Sequence, residues 1–279
     1  MKSLITLLSI FLMAAAAGAQ KTEAPAKVDP FSTKDAVDAS VKLVPCESEK
    51  RLDGVVNLFT SLGVPKAGIA IEKFDKDKIQ NVVIRKKGST DETIVIGAHY
   101  DKVSAGCGVT DNWAGVVILA HIYKTVAKFD TKKSYVFVAF DKEEEGLKGS
   151  AQMVKAMTDA QRAAVCSMVN FDTFGQGIPM ALANASSPKM LKLAEALGKE
   201  SNFKFVSIPI VGASSDSASF VEKKIPAITI SGIGKDTLEI LHSPSDKLDK
   251  LKVDSIYYGY RFGVMYLAKL DAAQCDDFK

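Results

Sequence analysis

The sequence predicts an α/β fold in which helices cover both faces of a β-sheet, and three observations support this fold class. Short apolar runs such as residues 94–96 and 134–140 alternate along the chain with longer amphipathic segments. These runs lack polar alternation, which is typical of strands with no face exposed to water. The chain has 279 residues, 47% of them hydrophobic, enough material for a core on each side of the sheet.

The first half of the fold is expected to begin with two helices and a strand pair. Residues 32–43 and 48–62 have the apolar spacing of amphipathic helices, and Pro45 separates them. Residues 67–74 and 81–85 have strand composition on either side of a charged turn. The further elements predicted in this half are a strand at 94–98, a helix at 113–127 and a strand at 134–140.

The second half continues the alternation without an internal repeat or a low-complexity segment. Strand composition recurs in residues 164–171, 178–183, 205–209 and 226–231. Helical spacing is found in residues 150–157, 188–200, 217–223 and 253–270. Ser214, Ser215 and Asp216 are suitable caps for the helix that follows them.

The amino-terminal residues have the features of an export signal. Lys2 precedes an apolar segment at residues 4–13, and Ala17-Gly18-Ala19 resembles a cleavage site. We therefore expect a signal peptide at residues 1–19, a flexible lead-in at 20–31 and one domain at 32–279. The mature protein is expected in the periplasm or outside the cell, without a membrane span.

Composition limits the partners and the redox chemistry. The net charge is +3 with lysines spread along the chain, so nothing favours nucleic-acid binding, and the lysine-rich residues 76–87 indicate a solvated hairpin. Four cysteines allow three disulfide pairings, among which the sequence does not choose. None are spaced as C-x-x-C, and Cys107 is better interpreted as half of a disulfide or an inert thiol than as a metal ligand.

Ionisable residues follow several of the predicted strands. His99 and Asp101 lie on the same side of an extended backbone, and Glu143-Glu144 and Asp172 come after two later strands. Because the carboxyl ends of strands in an α/β sheet meet at one edge, these residues are expected to converge. His121 lies within a predicted helix without nearby acidic residues, and we interpret it as structural.

The order of the polar residues predicts a two-metal site. His99, Asp111, the Glu pair, Asp172 and His242 provide nitrogen and oxygen ligands that suit zinc. Five ligands are too many for one catalytic zinc and fit two if one carboxylate bridges. Adjacent glutamates cannot both face the same ion, so one can bind metal while the other exchanges protons with water.

The chain resembles the di-zinc aminopeptidase family, which includes secreted bacterial leucyl aminopeptidases, glutamate carboxypeptidases and glutaminyl cyclases. The matching motifs are His99-Tyr100-Asp101, Gly108 to Asn112, Glu143 to Ser150, Asn170-Phe171-Asp172 and His242-Ser243-Pro244. The resemblance as a whole extends over residues 82–270. The resemblance implies a three-layer α/β/α sandwich with a mixed, mostly parallel central sheet.

The resemblance also implies the site roles and two Zn²⁺ ions per chain. His99, Asp111 and Asp172 would hold one zinc, while Asp111, Glu144 and His242 would hold the other. Glu143 would be the general acid/base, and Asp101 would accept the N–H of His99. The Asp111–Asn112 peptide would be strained and could be cis. A shifted register, with Glu144 as base and Glu145 as ligand, is compatible with the tandem glutamates but less so with the spacing to Gly146.

Two positions depart from the family pattern. Ser217 follows Ser215-Asp216 where a histidine is common, so the substrate pocket is expected to differ while the metal ligands are unaffected. Trp113 stands where the family usually has a small residue. We favour a core position for this side chain over a place in the wall of the substrate cleft.

These inferences predict a monomeric zinc exopeptidase, most specifically an aminopeptidase acting on peptides. A glutaminyl cyclase using one zinc is the nearest alternative, and a non-catalytic binding protein is the second. Retention of all five ligands and the Gly146 to Ser150 ending favour hydrolysis over cyclisation. Retention of the ligands and of the catalytic glutamate disfavours a binding protein. The S1 pocket is expected to be formed by residues 214–220 and 232–241.

Overall fold

The computed structural model describes residues 29–279. The predicted signal peptide and most of the predicted lead-in lie outside the described residues. In the part of the chain that is described, no helix combines the length and apolarity needed to cross a bilayer.

One mixed sheet organises the described residues, and its strands run in the order β1-β2-β4-β3-β5-β8-β6-β7. The strands are β1 (Ile69–Phe74), β2 (Ile79–Lys86), β3 (Thr93–His99), β4 (Ser134–Phe140), β5 (Val165–Phe171), β6 (Met180–Leu182), β7 (Ser207–Ile208) and β8 (Ala227–Ser231). The central strand β3 is parallel to both β4 and β5, and β5 is parallel to β8. β2 is antiparallel to its neighbours, and β6 is antiparallel to β8.

Helices lie on both faces of this sheet. They are α1 (Lys34–Val41), α2 (Arg51–Ser61), α3 (Ala114–Val126), α4 (Lys148–Ala156), α5 (Asp159–Ala164), α6 (Pro188–Glu200), α7 (Ser217–Glu222), α8 (Thr237–Ile240) and α9 (Val253–Ala272). The larger core packs α1, α2, α3, α6 and α9 against one face. A smaller core packs α4 and α7 against the other. The predicted α/β/α class is therefore confirmed.

Side-chain alternation within the strands explains the two cores. Val82 and Ile84 of β2 face the larger core, whereas Val83 between them faces the smaller one. Ile94 and Ile96 of β3 likewise face the larger core, whereas Val95 faces the smaller one. Successive side chains of a strand point to opposite faces, so a strand that is apolar at every position fills both layers.

The cysteines form two disulfides, Cys46–Cys107 and Cys166–Cys275. No cysteine of the described residues is free. Cys107 is thus half of a disulfide, as the sequence favoured, and both bonds are typical of proteins that fold in an oxidising compartment. The first disulfide connects the segment before α2 to the loop between β3 and α3.

Some element boundaries differ from the sequence prediction. Residues 48–50 form a 3₁₀ turn, so α2 begins at Arg51. β6 and β7 are shorter than expected, and helices α5 and α8 were not predicted. α5 has six residues and α8 four, too few for a helical period to be recognised in a sequence.

Candidate metal centre

The carboxyl ends of the parallel strands present the polar side chains that the sequence singled out. His99 is the last residue of β3, and Asp172 directly follows the end of β5. Glu143 and Glu144 lie in the turn that follows β4. Because β3 lies between β4 and β5, these side chains converge at the middle of the sheet edge.

Two loops complete the cluster. Asp111 lies between β3 and α3, and the Asp111–Asn112 peptide is cis. Asn112 is buried and ties this loop to the end of β5, because its Nδ2 donates to the carbonyl of Phe171 and its Oδ1 accepts from Gly115 N–H. A side chain at Gly115 would collide with Asn112 and Phe171, which accounts for glycine there. His242 comes from the loop after α8.

The two oxygens of Asp111 face two different sets of side chains. Asp111 Oδ1 lies 3.0 Å from His99 Nε2, and this nitrogen is 3.4 Å from Asp172 Oδ1. Asp111 Oδ2 lies 3.0 Å from His242 Nε2, which is also 3.0 Å from Glu144 Oε2. One carboxylate therefore separates two groups of potential ligands.

Glu143 and Glu145 are placed differently. Ligand atoms of His99, Glu143 and Asp172 lie within 4.8 Å of one another. Glu145 instead is half exposed and forms ion pairs with Lys142 and Lys148 on the surface. The geometry therefore brings Glu143 and Glu144 into the cluster and leaves Glu145 outside it.

The charges in this cluster shift one another's pKa values. Burial raises the pKa of Glu143 to about 10, and burial together with Asp111 raises that of Glu144 to about 7. Burial by itself lowers the pKa of His99, but nearby carboxylates, Glu143 foremost, outweigh it and the net pKa is raised. The hydrogen bond to Asp111 raises the pKa of His242 to about 9.

Asp101 contacts the glutamate turn as well as His99. Its Oδ1 is 3.3 Å from His99 Nδ1, and this nitrogen has no hydrogen-bond partner among the described residues. The same carboxylate accepts the backbone N–H of Glu143 at 3.0 Å and of Glu144 at 3.1 Å. Asp101 thus fixes the turn that carries both glutamates, a contact that the sequence did not predict.

The donor set fits zinc. Imidazole nitrogens and carboxylate oxygens are the ligands that zinc accepts in catalytic sites. Glu144 Oε1 is buried without a hydrogen-bond partner among the described residues. A buried acceptor of this kind costs free energy unless a proton donor or a cation satisfies it.

Several residues contact the candidate ligands or the loops that carry them in ways that the sequence did not predict. Ser215 donates to Asp172 and accepts from Asn170 Nδ2. Asp216 is fully buried, both of its oxygens lack partners among the described residues, and burial raises its pKa to about 7. Asp246 accepts three backbone N–H groups of the loop that carries Asp111. Asp246 ends the segment that begins with His242, and its position four residues after a candidate ligand was the one sequence signal for its role.

Two other residues prove to be structural. Trp113 is fully buried, and its Nε1–H donates to the carbonyl of Ser40 at 3.3 Å, so it is a core residue and not a cleft wall. His121 is fully buried, with Nδ1 2.7 Å from Ser32 Oγ and Nε2 2.9 Å from Ser40 Oγ. Both agree with the interpretations that the sequence favoured.

Solved structures share this fold at low sequence identity. A zinc aminopeptidase from Bacillus subtilis, BSAP, superposes with a TM-score of 0.63 at 20% identity, covering 72% of this chain and 54% of that one. A glutaminyl cyclase from an Acidobacteriales bacterium superposes with a TM-score of 0.74 at 16% identity, covering 89% of this chain and 98% of that one.

Residues 81–258 match Peptidase family M28, and the chain belongs to this family. A curated relative, the probable leucine aminopeptidase 2 of Arthroderma benhamiae, is 31% identical over 136 residues. That alignment covers 47% of this chain and 27% of the relative. The chain thus spans only about a quarter of the length of the relative.

Proposed function

We propose that the protein is an exported zinc-dependent exopeptidase, most specifically an aminopeptidase. The observation that carries the proposal is the position of Asp111, whose two oxygens each face one histidine and one further carboxylate. This arrangement supports two cation positions that share one bridging side chain. Membership in Peptidase family M28 supports the peptidase chemistry.

The proposed ligands follow the two groups in the structure. His99, Asp111 and Asp172 would hold one zinc, and Asp111, Glu144 and His242 the other. Bound zinc supplies Lewis acidity, which polarises a scissile carbonyl and makes water a better proton donor. Asp101 orients the glutamate turn through its two backbone contacts.

Glu143 is the proposed general acid/base. It lies within the cluster, where its carboxylate is within 4.8 Å of ligand atoms of His99 and Asp172. Burial raises the pKa of this carboxyl, so Glu143 holds a proton firmly once it has accepted one. It would take a proton from the attacking water and deliver it to the departing amine.

The decisive test replaces Glu143 by Gln and compares the result with the same change at Glu145. Turnover of aminoacyl chromogenic amides should fall at least about 10³-fold in Glu143→Gln, because the general base and acid are lost together. Zinc content and the thermal unfolding midpoint should stay at wild-type values. Glu145→Gln, one residue beyond Glu144, should retain turnover within about 2-fold.

Two results would contradict the assignment. Wild-type turnover in Glu143→Gln would remove Glu143 from the mechanism. A large loss in Glu145→Gln, with loss of zinc, would favour the shifted register in which Glu144 is the base.

A glutaminyl cyclase is the second candidate, and the extent of the structural match favours it. The cyclase neighbour is covered almost completely by this chain, whereas the Bacillus aminopeptidase is covered by little more than half. The mature protein should be assayed with aminoacyl amides, N-blocked peptides and a peptide with N-terminal Gln. Full activity at one zinc per chain, with cyclisation of the Gln peptide, would replace the first proposal.

Export, domain organisation and assembly belong to the same proposal. The two disulfides support an oxidising environment, in agreement with the predicted signal peptide. Residues 32–279 would form one catalytic domain, and the protein would act as a monomer on peptides. A non-catalytic binding protein is disfavoured because the candidate ligands and Glu143 are all retained and lie close together.

A further inference from the structure

Arg51 is a fully buried guanidinium beneath the loop that connects β3 to α3. Its Nε donates to the carbonyl of Tyr100. Nη1 donates to the carbonyls of Pro45 and Cys107 at 3.1 Å each, and Nη2 to that of Gly108 at 3.1 Å. Three of these four carbonyls belong to the loop between His99 and Asp111.

No carboxylate of the described residues forms an ion pair with Arg51. Its charge acts at longer range on acidic groups of the site, Asp101, Asp111, Asp246 and Glu144. Burial lowers the pKa of Arg51 to about 10, so the side chain remains protonated at neutral pH. A buried, unpaired cation is costly, and its backbone contacts must compensate for that cost.

Asp246 binds the same loop by accepting hydrogen bonds from the backbone N–H groups of the loop. Its Oδ1 accepts from Val109 N–H at 3.0 Å and Thr110 N–H at 2.7 Å, and its Oδ2 accepts from Asp111 N–H at 3.1 Å. Only 2% of Asp246 is exposed. A buried cation therefore binds the carbonyls of this loop, and a buried anion binds the amides that immediately follow.

We propose that Arg51 is a positioning residue of the metal site, acting with Asp246 to fix the backbone that presents Asp111 to both histidines. The inference rests on the proposed function, because it concerns how that metal site is built. Arg51 lies outside residues 81–258, which match the family, so this contact is supplied by a part of the chain that the match does not include.

The shape of the side chain explains why arginine is needed. A guanidinium is planar and donates through three nitrogens in fixed directions, so it can hold carbonyls from two segments at once. A lysine ammonium keeps the charge but offers one nitrogen on a flexible stem. Arg51→Lys therefore separates the loss of geometry from the loss of charge.

The experiment compares Arg51→Lys and Arg51→Met with Lys133→Met in the full chain. Lys133 is a fully buried cation that donates to the carbonyls of Asp271 and Ala273. It precedes β4, at the opposite end of this strand from Glu143. Loss of Lys133 should lower stability as the Arg51 changes do. Because a strand rises about 3.3 Å per residue, Lys133 lies about 20 Å from the site.

Zinc affinity is measured by chelator competition below the unfolding midpoint of each variant, together with the visible spectrum of the cobalt-substituted protein. Both Arg51 variants should bind zinc about 10- to 100-fold more weakly, the usual effect of losing a contact that orients a ligand. The cobalt bands should shift in both. Lys133→Met should keep the wild-type affinity and spectrum.

Three outcomes would overturn the inference. These are wild-type affinity and spectrum in a folded Arg51→Lys, a gain of affinity in Arg51→Met, or an equal loss of zinc in Lys133→Met. If Arg51→Met fails to fold, Arg51→Lys decides the matter. Failure of the proposed function is distinguishable, because it is judged on the wild-type protein, which would then bind no zinc or would cyclise the Gln peptide without hydrolysing aminoacyl amides.

Discussion

Two buried polar regions of this protein differ in how completely their polar groups are hydrogen-bonded. Around His121, between α1, α3 and α9, the polar groups satisfy one another. The imidazole bonds to Ser32 and Ser40, and Thr125 Oγ1 lies 2.6 Å from the hydroxyl of Tyr260. At the sheet edge, Glu144 Oε1, His99 Nδ1 and both oxygens of Asp216 lack partners among the described residues.

The two buried histidines show what the difference means. Burial lowers the pKa of His121 to about 4, since its partners are uncharged. The pKa of His99 is raised despite its burial, because carboxylates surround it. A polar group with complete hydrogen bonding stabilises the fold, whereas a buried group left without partners indicates a place for a ligand.

The strongest challenge to this comparison is truncation of the shared carboxylate. Asp111→Ala should reduce zinc from the proposed two ions per chain to less than one, because both proposed positions use this residue. Turnover should fall at least about 10³-fold, since Lewis acidity is worth several kcal/mol. Elemental analysis after gel filtration and the chromogenic assay measure the two effects.

The matched variant is His99→Ala, which removes a ligand from one position only. It should retain about one zinc per chain. If Asp111→Ala and His99→Ala lose the same number of ions, Asp111 does not bridge.

A smaller effect is expected at a hydroxyl that contacts a candidate ligand. Ser215→Ala removes the donor to Asp172 and should weaken zinc binding about 10-fold. The control is Ser217→Ala, because among the described residues the Ser217 hydroxyl bonds to Ala185 and Thr229 and not to a candidate ligand. Both changes should cost about 1 kcal/mol of stability in urea unfolding. Equal zinc affinity in the two variants would show that the Ser215 contact does not orient Asp172.

The smallest effect concerns the fully paired region and depends on pH. The folded protein keeps His121 neutral down to a pKa of about 4, whereas the unfolded chain binds a proton near pH 6.5. The contribution of this histidine is complete above pH 6.5 and is lost as pH falls toward 4. As pH falls from 8 to 5, the loss of this contribution should reduce the unfolding free energy by about 2 kcal/mol.

His121→Gln provides the comparison, because it has no titrating ring and can still bond to hydroxyls. Urea unfolding at several pH values should show that the unfolding free energy falls by about 2 kcal/mol less between pH 8 and pH 5 in this variant than in the wild type. Identical slopes would mean that the pKa of His121 is the same in the folded and the unfolded protein.

Much of the fold was accessible from the sequence because its strands are buried on both faces. Uninterrupted apolar runs such as residues 134–140 left little choice of structure, and each predicted strand has a counterpart in the sheet. The short strand β7 and helix α8 depend on their surroundings more than on their own composition. The sequence could not order the strands, and in particular could not place β4 between β2 and β3.

The candidate site was predictable only where residues lie next to strand ends. Arg51 begins an amphipathic helix, where a basic residue usually faces water, so nothing local indicated its burial. Asp216 resembled a helix cap but forms no capping bond. The partners of Asp246 are remote along the chain, and periodicity carries no information about such contacts.

The same long-range contact has a consequence for biosynthesis. Thr110 and Asp246 are 136 residues apart, and His242 precedes Asp246 by one short turn. A nascent chain that already contains His99 and Asp111 still lacks the residues that complete the cluster. The site can therefore assemble only when most of the polypeptide has been made, and an unfinished chain has no complete peptidase centre.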